Sequence, residues 1–148
     1  EESPQHDAGL VINKPTQTKL QKIFAVKGFK TINISDLVYS GGPVNQGNII
    51  MMHTNEWKCK NTLPLANGIS ITSDPQMLKK MHEQDQPQAW RVFSGLSIWS
   101  PGQLEGEINS KCWITAIPTP ELSLQTPTTQ IYEKAIEICS KQIIDKYI

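Results

Sequence analysis

Apolar positions recur along this chain with two different periods, and the changes of period mark its elements. In "NIIMMHT" (Asn48 to Thr54) both parities are apolar, Ile49 and Met51 on one and Ile50 and Met52 on the other. That predicts a central strand covered on two faces. "DLVYS" (Asp36 to Ser40) predicts a strand before it, joined through "GGPVNQG". "GLVIN" (Gly9 to Asn13) predicts a short buried strand stopped by Lys14 and Pro15, since proline has no amide hydrogen for a ladder. "WRVFSGL" and "CWITAI" predict two more strands. "LPLANGISIT" predicts a hairpin, and its register selects the turn. A two-residue loop at Asn67 and Gly68 would set Leu65 against Ser70, whereas a three-residue loop from Ala66 to Gly68, with Gly68 left-handed, sets Leu65 against Ile69 and Leu63 against Ile71.

Helical spacing appears in three places outside these runs. Leu20, Ile23 and Phe24 follow Thr16 and Thr18, either of which can cap. "SDPQMLKKMHE" opens a helix with Asp74 as N-cap, Pro75 at the first position and a buried stripe of Met77, Leu78 and Met81. From Thr129 onward, Tyr132, Ile136, Cys139, Ile143 and Tyr147 step by three and four, a stripe long enough to dock on a sheet. Strands and helices alternate irregularly around a hairpin, which predicts an α+β fold.

Between two of the strands lies "FSGLSIWSPGQLEGEI" (Phe93 to Ile108), with two acids. Ser100, Pro101 and Gln103 carry a capping-box signature, so a short helix is expected there with Leu104 and Ile108 buried on one face. Gln103 and Glu107, four apart, share another face. Glu105 lies on the far flank, and residues two apart on a helix do not face each other. Glu105 and Glu107 are therefore a poor acid/base dyad. The bland reading has both carboxylates at the positive end of a short helix dipole, in solvent. The functional alternative is a cradle for a polar ligand, formed by amide donors and Gln103.

Composition narrows the function classes. The chain has 148 residues, one domain's length, with 14 basic and 14 acidic side chains and no net charge. No long-range field steers polyanions or membranes to it. Arg91 is the one arginine available for bidentate reading of guanine or phosphate, so direct nucleic-acid contact is not expected. Cys59, Cys112 and Cys139 are far apart and have no histidine at metal-ligand spacing, which suits a reduced, cytoplasmic protein without a metal or cofactor. No apolar run has the roughly 20 residues of a membrane span. The chain does not begin with Met, so segments beyond it are expected.

Several phrases together resemble the YqgE/AlgH family of bacterial proteins: "GLVINKP", "GGPV", "GISITSD", and "GLSIWSPGQLEGEI" followed by "CWI". Their order and spacing cover nearly the whole chain as a single domain, residues 1–148. The resemblance implies an α+β fold whose mixed, branched sheet curls into a pseudo-barrel with flanking helices. It implies no established enzymatic activity or cofactor. The AlgH name implies a link to transcriptional control, as physiology rather than DNA contact. Where the family usually has an aromatic and a glycine, this chain has Leu96 and Ile98. A β-branched Ile98 disfavours a positive backbone angle at that point. The family also has an N-terminal strand region before its "HD" segment, of which "EESPQHD" is what remains here.

No coherent catalytic set emerges. "SGGPVNQG" lacks the Gly-Lys-Ser/Thr ending of a phosphate loop and reads as a tight inter-strand turn, or as one wall of a cleft. His6 and Asp7 are neighbours that an extended chain points apart. The serines lack a nucleophile-elbow context. The leading expectation is a non-catalytic regulatory or binding protein, with a small molecule or protein as partner. Its polar surface would combine Asn13, Gly41, Gly42, Pro43, Trp99, Gln103 and Glu107. The alternatives are a hydrolase-like enzyme using Glu105 or Glu107 with His6 or His53, and a DNA-binding regulator using Lys58, Lys60, Lys79 and Lys80. Oligomeric state is beyond the sequence.

Overall fold

The computed structural model describes residues 5–30 and 34–147; Glu1 to Pro4, most of the "EESPQHD" remnant, lie outside them. Its organising element is the long strand β7 (Trp90–Trp99). One flank of β7 is paired antiparallel with β4 (Val44–Thr54), from His53 opposite Trp90 to Val44 opposite Leu96. The first part of the other flank pairs parallel with β3 (Leu37–Ser40). Its last part pairs with β1 (Asp7–Gly9), where Asp7 faces Trp99. β2 (Pro15–Lys19) adds to β3, while β6 (Ile69–Thr72) and β5 (Thr62–Pro64) extend the sheet beyond β4. The result is α+β, a branched mixed sheet of seven strands with flanking helices. Its path runs from β2 to β5, so whatever curl it has is not closed into a barrel.

Both faces of β4 are covered, as its two apolar parities predict. Met51 packs with Leu20, Phe24, Val38, Trp57, Val92 and the α2 stripe, while Ile50 and Met52 join Ile69, Phe93 and Leu124 on the opposite side. The first layer comes from α1 (Leu20–Val26) and α2 (Pro75–His82). Asp74 caps α2 through Oδ1, which accepts the Gln76 amide at 2.9 Å, and Met77, Leu78 and Met81 are buried as the spacing requires. The hairpin has the longer of the two turns: Leu63 faces Ile71, Leu65 bonds to Ile69, and Gly68 is left-handed.

Four expectations fail for identifiable reasons. Strand β1 stops at Gly9, and Pro15 opens β2 instead of ending a strand, a position where its missing donor is harmless. Thr16 caps nothing; its hydroxyl donates to Val38 O across the β2–β3 pair, and α1 has no side-chain cap. "CWITAI" is irregular chain, since no described strand lies beside it. The terminal helix α4 (Ile131–Tyr147) buries Ile131 but turns Tyr132, Ile143 and Tyr147 outward. A π-helical turn (Glu121–Gln125) and a 3-10 turn (Thr128–Gln130) precede it.

Those turns are held by Arg91. It is buried in β7 beside the Tyr39 ring and donates to Ser123 O at 2.9 Å and to Thr126 O. The sole arginine thus satisfies carbonyls at the end of an irregular helix, a charged donor placed where apolar residues would leave those acceptors unpaired.

The connection from β3 to β4 is the tightest feature. These strands flank β7, and Gly41 to Pro43 must pass across its backbone. A Cβ on Gly41 would overlap Gly95 O, and one on Gly42 would overlap the Leu96 carbonyl, both inside any allowed contact. Gly95 itself has φ 75° and admits the Gly42 carbonyl. Backbone cannot move aside there without breaking the β7 ladders. Gly42→Ala is expected to lower stability by about 3 kcal/mol or more, read as a loss of urea midpoint; an unchanged midpoint would show that the crossing has slack.

Candidate functional site

The end of β7 delivers Trp99 to the surface, and Ser100 and Pro101 turn the chain into α3 (Gln103–Asn109). The helix starts two residues later than the capping box predicts, because Gly102, at φ 77°, occupies the N-cap position. Half of the expected box survives: the Ser100 amide donates to Gln103 Oε1 at 3.1 Å. The predicted i,i+4 face also forms, with Gln103 Nε2 donating to Glu107 Oε1 at 3.0 Å. The helix is less buried than its spacing predicts. Leu104 is half-buried and Ile108 is 41% exposed, since α3 runs along the surface with none of its residues buried.

A residue that periodicity did not single out completes the cluster. Trp113 donates its indole N–H to Glu107 Oε2 at 2.8 Å and meets the Trp99 ring edge-on at 6.0 Å. Its sequence signals are its place in the family-like phrase "CWI" and its position shortly after the acid. Trp99 is backed by Gly9, where a Cβ would press on its ring, and its carbonyl lies 3.3 Å from His6 Nδ1. Both Glu107 oxygens therefore hold donors. The Trp113 bond, then the Gln103 bond, and to a lesser degree the nearby Trp99 indole hold the Glu107 carboxyl below its usual range against a small desolvation penalty. A general base works best with a pKa near the operating pH, so this carboxylate is suited to holding indoles in place rather than to taking protons.

Comparison with known proteins agrees with this frame. A family model described as AlgH-like matches residues 1–143. The chain belongs to the AlgH-like family. Among curated relatives, the UPF0301 protein PMI0339 of Proteus mirabilis is 31% identical over 137 residues, 88% of this chain and 73% of that protein. The UPF0301 protein VP2612 of Vibrio parahaemolyticus is 26% identical over 136 residues, 87% of this chain and 73% of that one. The solution structure of AlgH from Pseudomonas aeruginosa superposes with a TM-score of 0.76 at 24% identity, covering 93% of this chain and 75% of the other. Protein DIP2367 from Corynebacterium diphtheriae gives 0.68 at 21%, covering 90% and 71%. At those identities the two structures show a shared fold.

In this AlgH-like chain the other candidate residues are distributed as follows. Gly41 and Gly42 are buried against β7, with Asn13 and Pro43 exposed near the same crossing. Among the described residues no hydrogen bond links them to Trp99, Gln103 or Glu107. Ile98 keeps strand geometry opposite Ala8 with its side chain partly exposed, so its β branch fits the backbone it has. Glu105 is exposed on the far flank of α3. Lys80 is engaged locally: it lies 3.2 Å from Asp85, donates to Lys58 O and sits over Trp57, while Lys58, Lys60 and Lys79 are exposed. Among the described residues no group of three His, Cys, Asp or Glu side chains converges, and no helix is long and apolar enough to cross a membrane.

His53 is fully buried and lies at the other end of β7 from α3. It faces Trp90, nine residues before Trp99 along β7, whereas Glu107 is bonded to Trp113 beside Trp99. Its hydrogen bonds define its state. Nδ1 must donate to Thr54 O at 2.8 Å, so Nε2 accepts from Thr72 Oγ1, also at 2.8 Å. Thr72 in turn accepts from Thr62, whose hydroxyl oxygen accepts the Cys59 amide. A neutral imidazole satisfies this chain in full; a second ring proton would reverse it and leave a hydroxyl proton without an acceptor. Burial pushes the His53 pKa down, against smaller opposite pulls from Thr54 O and Glu56.

Two pH effects follow. In the unfolded chain His53 takes up a proton as pH falls through its ordinary value of 6.5 while the folded state resists, so stability present above that pH declines below it. Urea midpoints measured on both sides of 6.5 should show this slope, and His53→Gln should flatten it. Glu107 is the opposite case. Its depressed pKa keeps the Trp113 bond intact down through the ordinary 4.5 and releases it below. The Trp113 indole N–H resonance should therefore move only in that acid range, and movement at higher pH would contradict the assigned hydrogen bonds.

Proposed function

We propose that this AlgH-like chain is a non-catalytic regulatory protein of the cytoplasm that acts by binding another protein through the surface of α3 and the segment from Cys112 to Ile117. The observation that carries this reading is the segment itself. It contains the Glu107-anchored Trp113, is irregular, and pairs with no strand among the described residues. It leaves Trp113 47%, Ile114 68% and Ile117 56% exposed. A run of exposed large apolar side chains marks an interaction surface. Trp99, Gln103 and Glu107 serve as its rigid support, because their mutual bonds fix Trp113 before the partner arrives and reduce the ordering cost of binding.

A hydrolase built on Glu107 and His53 is disfavoured by the burial of His53 with both ring nitrogens bonded and by the acid's occupied oxygens. His6 lies near Trp99, but its ring nitrogen contacts a backbone carbonyl. Direct DNA contact is disfavoured by the neutral balance of charge and by the local engagement of Lys80.

Affinity capture from cell extract, comparing the parent with an Ile114→Asp, Ile117→Asp double variant, tests the proposal. Both positions are exposed, so folding should survive and thermal melts should coincide. Specific proteins retained by the parent and lost by the double variant are expected, with at least about a tenfold drop in retained amount. An identical set of captured proteins from both chains would refute the assigned surface.

A further inference from the structure

The terminal helix α4 carries more apolar surface than its attachment to the sheet uses. Ile131 is buried, and Ala135, Ile138 and Gln142 are half-buried, so one side of the helix rests on the body of the protein. Roughly a third of a turn away, at about 100° per residue, Tyr132, Ile136, Cys139, Ile143 and Tyr147 form a second stripe. Both ends of this stripe stand in solvent: Tyr132 is 67%, Ile143 54% and Tyr147 80% exposed.

Two features of α4 identify what covers it. The stripe is symmetric about its middle. Reading inward from either end meets a tyrosine, then an isoleucine four residues on, then a small residue, Cys139 or Ser140, at the centre. A twofold interface sets one patch against itself, residue i of one copy on residue j of the other and j on i, so it requires a patch that complements itself. Laid antiparallel about an axis between Cys139 and Ser140, two copies bring Tyr132 level with Tyr147 and Ile136 level with Ile143.

The charges follow the same symmetry with their signs reversed. Residues 131–139 carry Glu133 and Glu137 against Lys134, and residues 140–147 carry Lys141 and Lys146 against Asp145. That polarity suits the macrodipole of a single helix, and it also decides how two copies can meet. The antiparallel alignment sets Glu133 level with Lys146 and Lys134 level with Asp145, whereas a parallel one sets every charge beside its own copy and is penalised. The area is sufficient as well. With an aromatic side chain covering roughly 150–250 Å² when buried, the two tyrosines and the isoleucines between them bring a symmetric pair to about the 1,000 Å² at which specific interfaces begin.

We propose that α4 is a self-association face, on which a second copy of this chain docks antiparallel to form a reversible twofold dimer. The face shares no residue with the surface of α3 and residues 112–117 proposed above, so either stands without the other.

Sedimentation equilibrium of the whole chain, from low micromolar to near-millimolar concentration, should show the mass rising from 16.6 kDa toward twice that value. Ile143→Glu and, separately, Tyr147→Glu place a good helix former at an exposed position. Thermal melts at low concentration should match the parent, while each variant weakens dimerisation by about tenfold or more. In a mixture of isotope-labelled and unlabelled parent chains, nuclear Overhauser contacts between copies should join Tyr132 to Tyr147. Those contacts are read on the parent, so they decide the face even if a variant folds poorly. A chain that stays monomeric throughout the range, a dimer equally tight in both folded glutamate variants, or contacts joining Tyr132 to Tyr132 would each overturn the proposal.

Discussion

The crossing of Gly41 and Gly42 over the backbone of β7 at Gly95 and Leu96 is the constraint on which the rest of this fold depends. It puts β3 and β4 on opposite flanks of one strand with three residues between them. Contact between two backbones leaves no room for side chains, which is why glycine occupies both sides of the crossing. Past this point β3 no longer accompanies β7, and its place is taken by β1. That branching carries the end of β7 away from the main sheet and puts Trp99 at the surface.

Polar groups in the molecule fall into two kinds. Arg91 and His53 are buried with their hydrogen bonds satisfied by carbonyls and hydroxyls, and they tie irregular segments or neighbouring strands to the sheet. Glu107 does the same at the surface, where a carboxylate collects one amide and one indole donor. Asp74 differs, since one of its oxygens is buried and unmatched. A satisfied network contributes rigidity and specificity of structure, while an unmatched buried acceptor costs free energy.

The same contrast applies to apolar groups. Two clusters on the faces of the sheet account for the core, and their members come from β4, β7, the hairpin, α1, α2 and the π-helical turn. Exposed apolar side chains run through the segment after α3 (Trp113, Ile114, Ile117) and along α4 (Tyr132, Ile143, Ile144, Tyr147), besides Val26 on α1 and Leu63 and Leu65 at the hairpin. The chain beyond Asn109 returns to the sheet mainly through Leu122, Leu124, Ile131 and the Arg91 bonds.

Local rules were enough for the central position of β4, the three-residue hairpin turn, the Asp74 cap with its Met77, Leu78 and Met81 stripe, and the Gln103–Glu107 face. Each depends on contacts within a few residues or on one strand's own alternation. Only the tertiary structure decided the rest. Pro15 could open a strand because β2 is at the end of the sheet path, and Gly102 displaced Ser100 as the cap because the chain leaves β7 in a left-handed turn. Periodicity shows that "CWITAI" and α4 have apolar residues to cover, but it carries no information about whether another element lies opposite them. Arg91 and His53 obey the same logic: their roles come from groups distant in sequence, so no spacing along the chain could announce them.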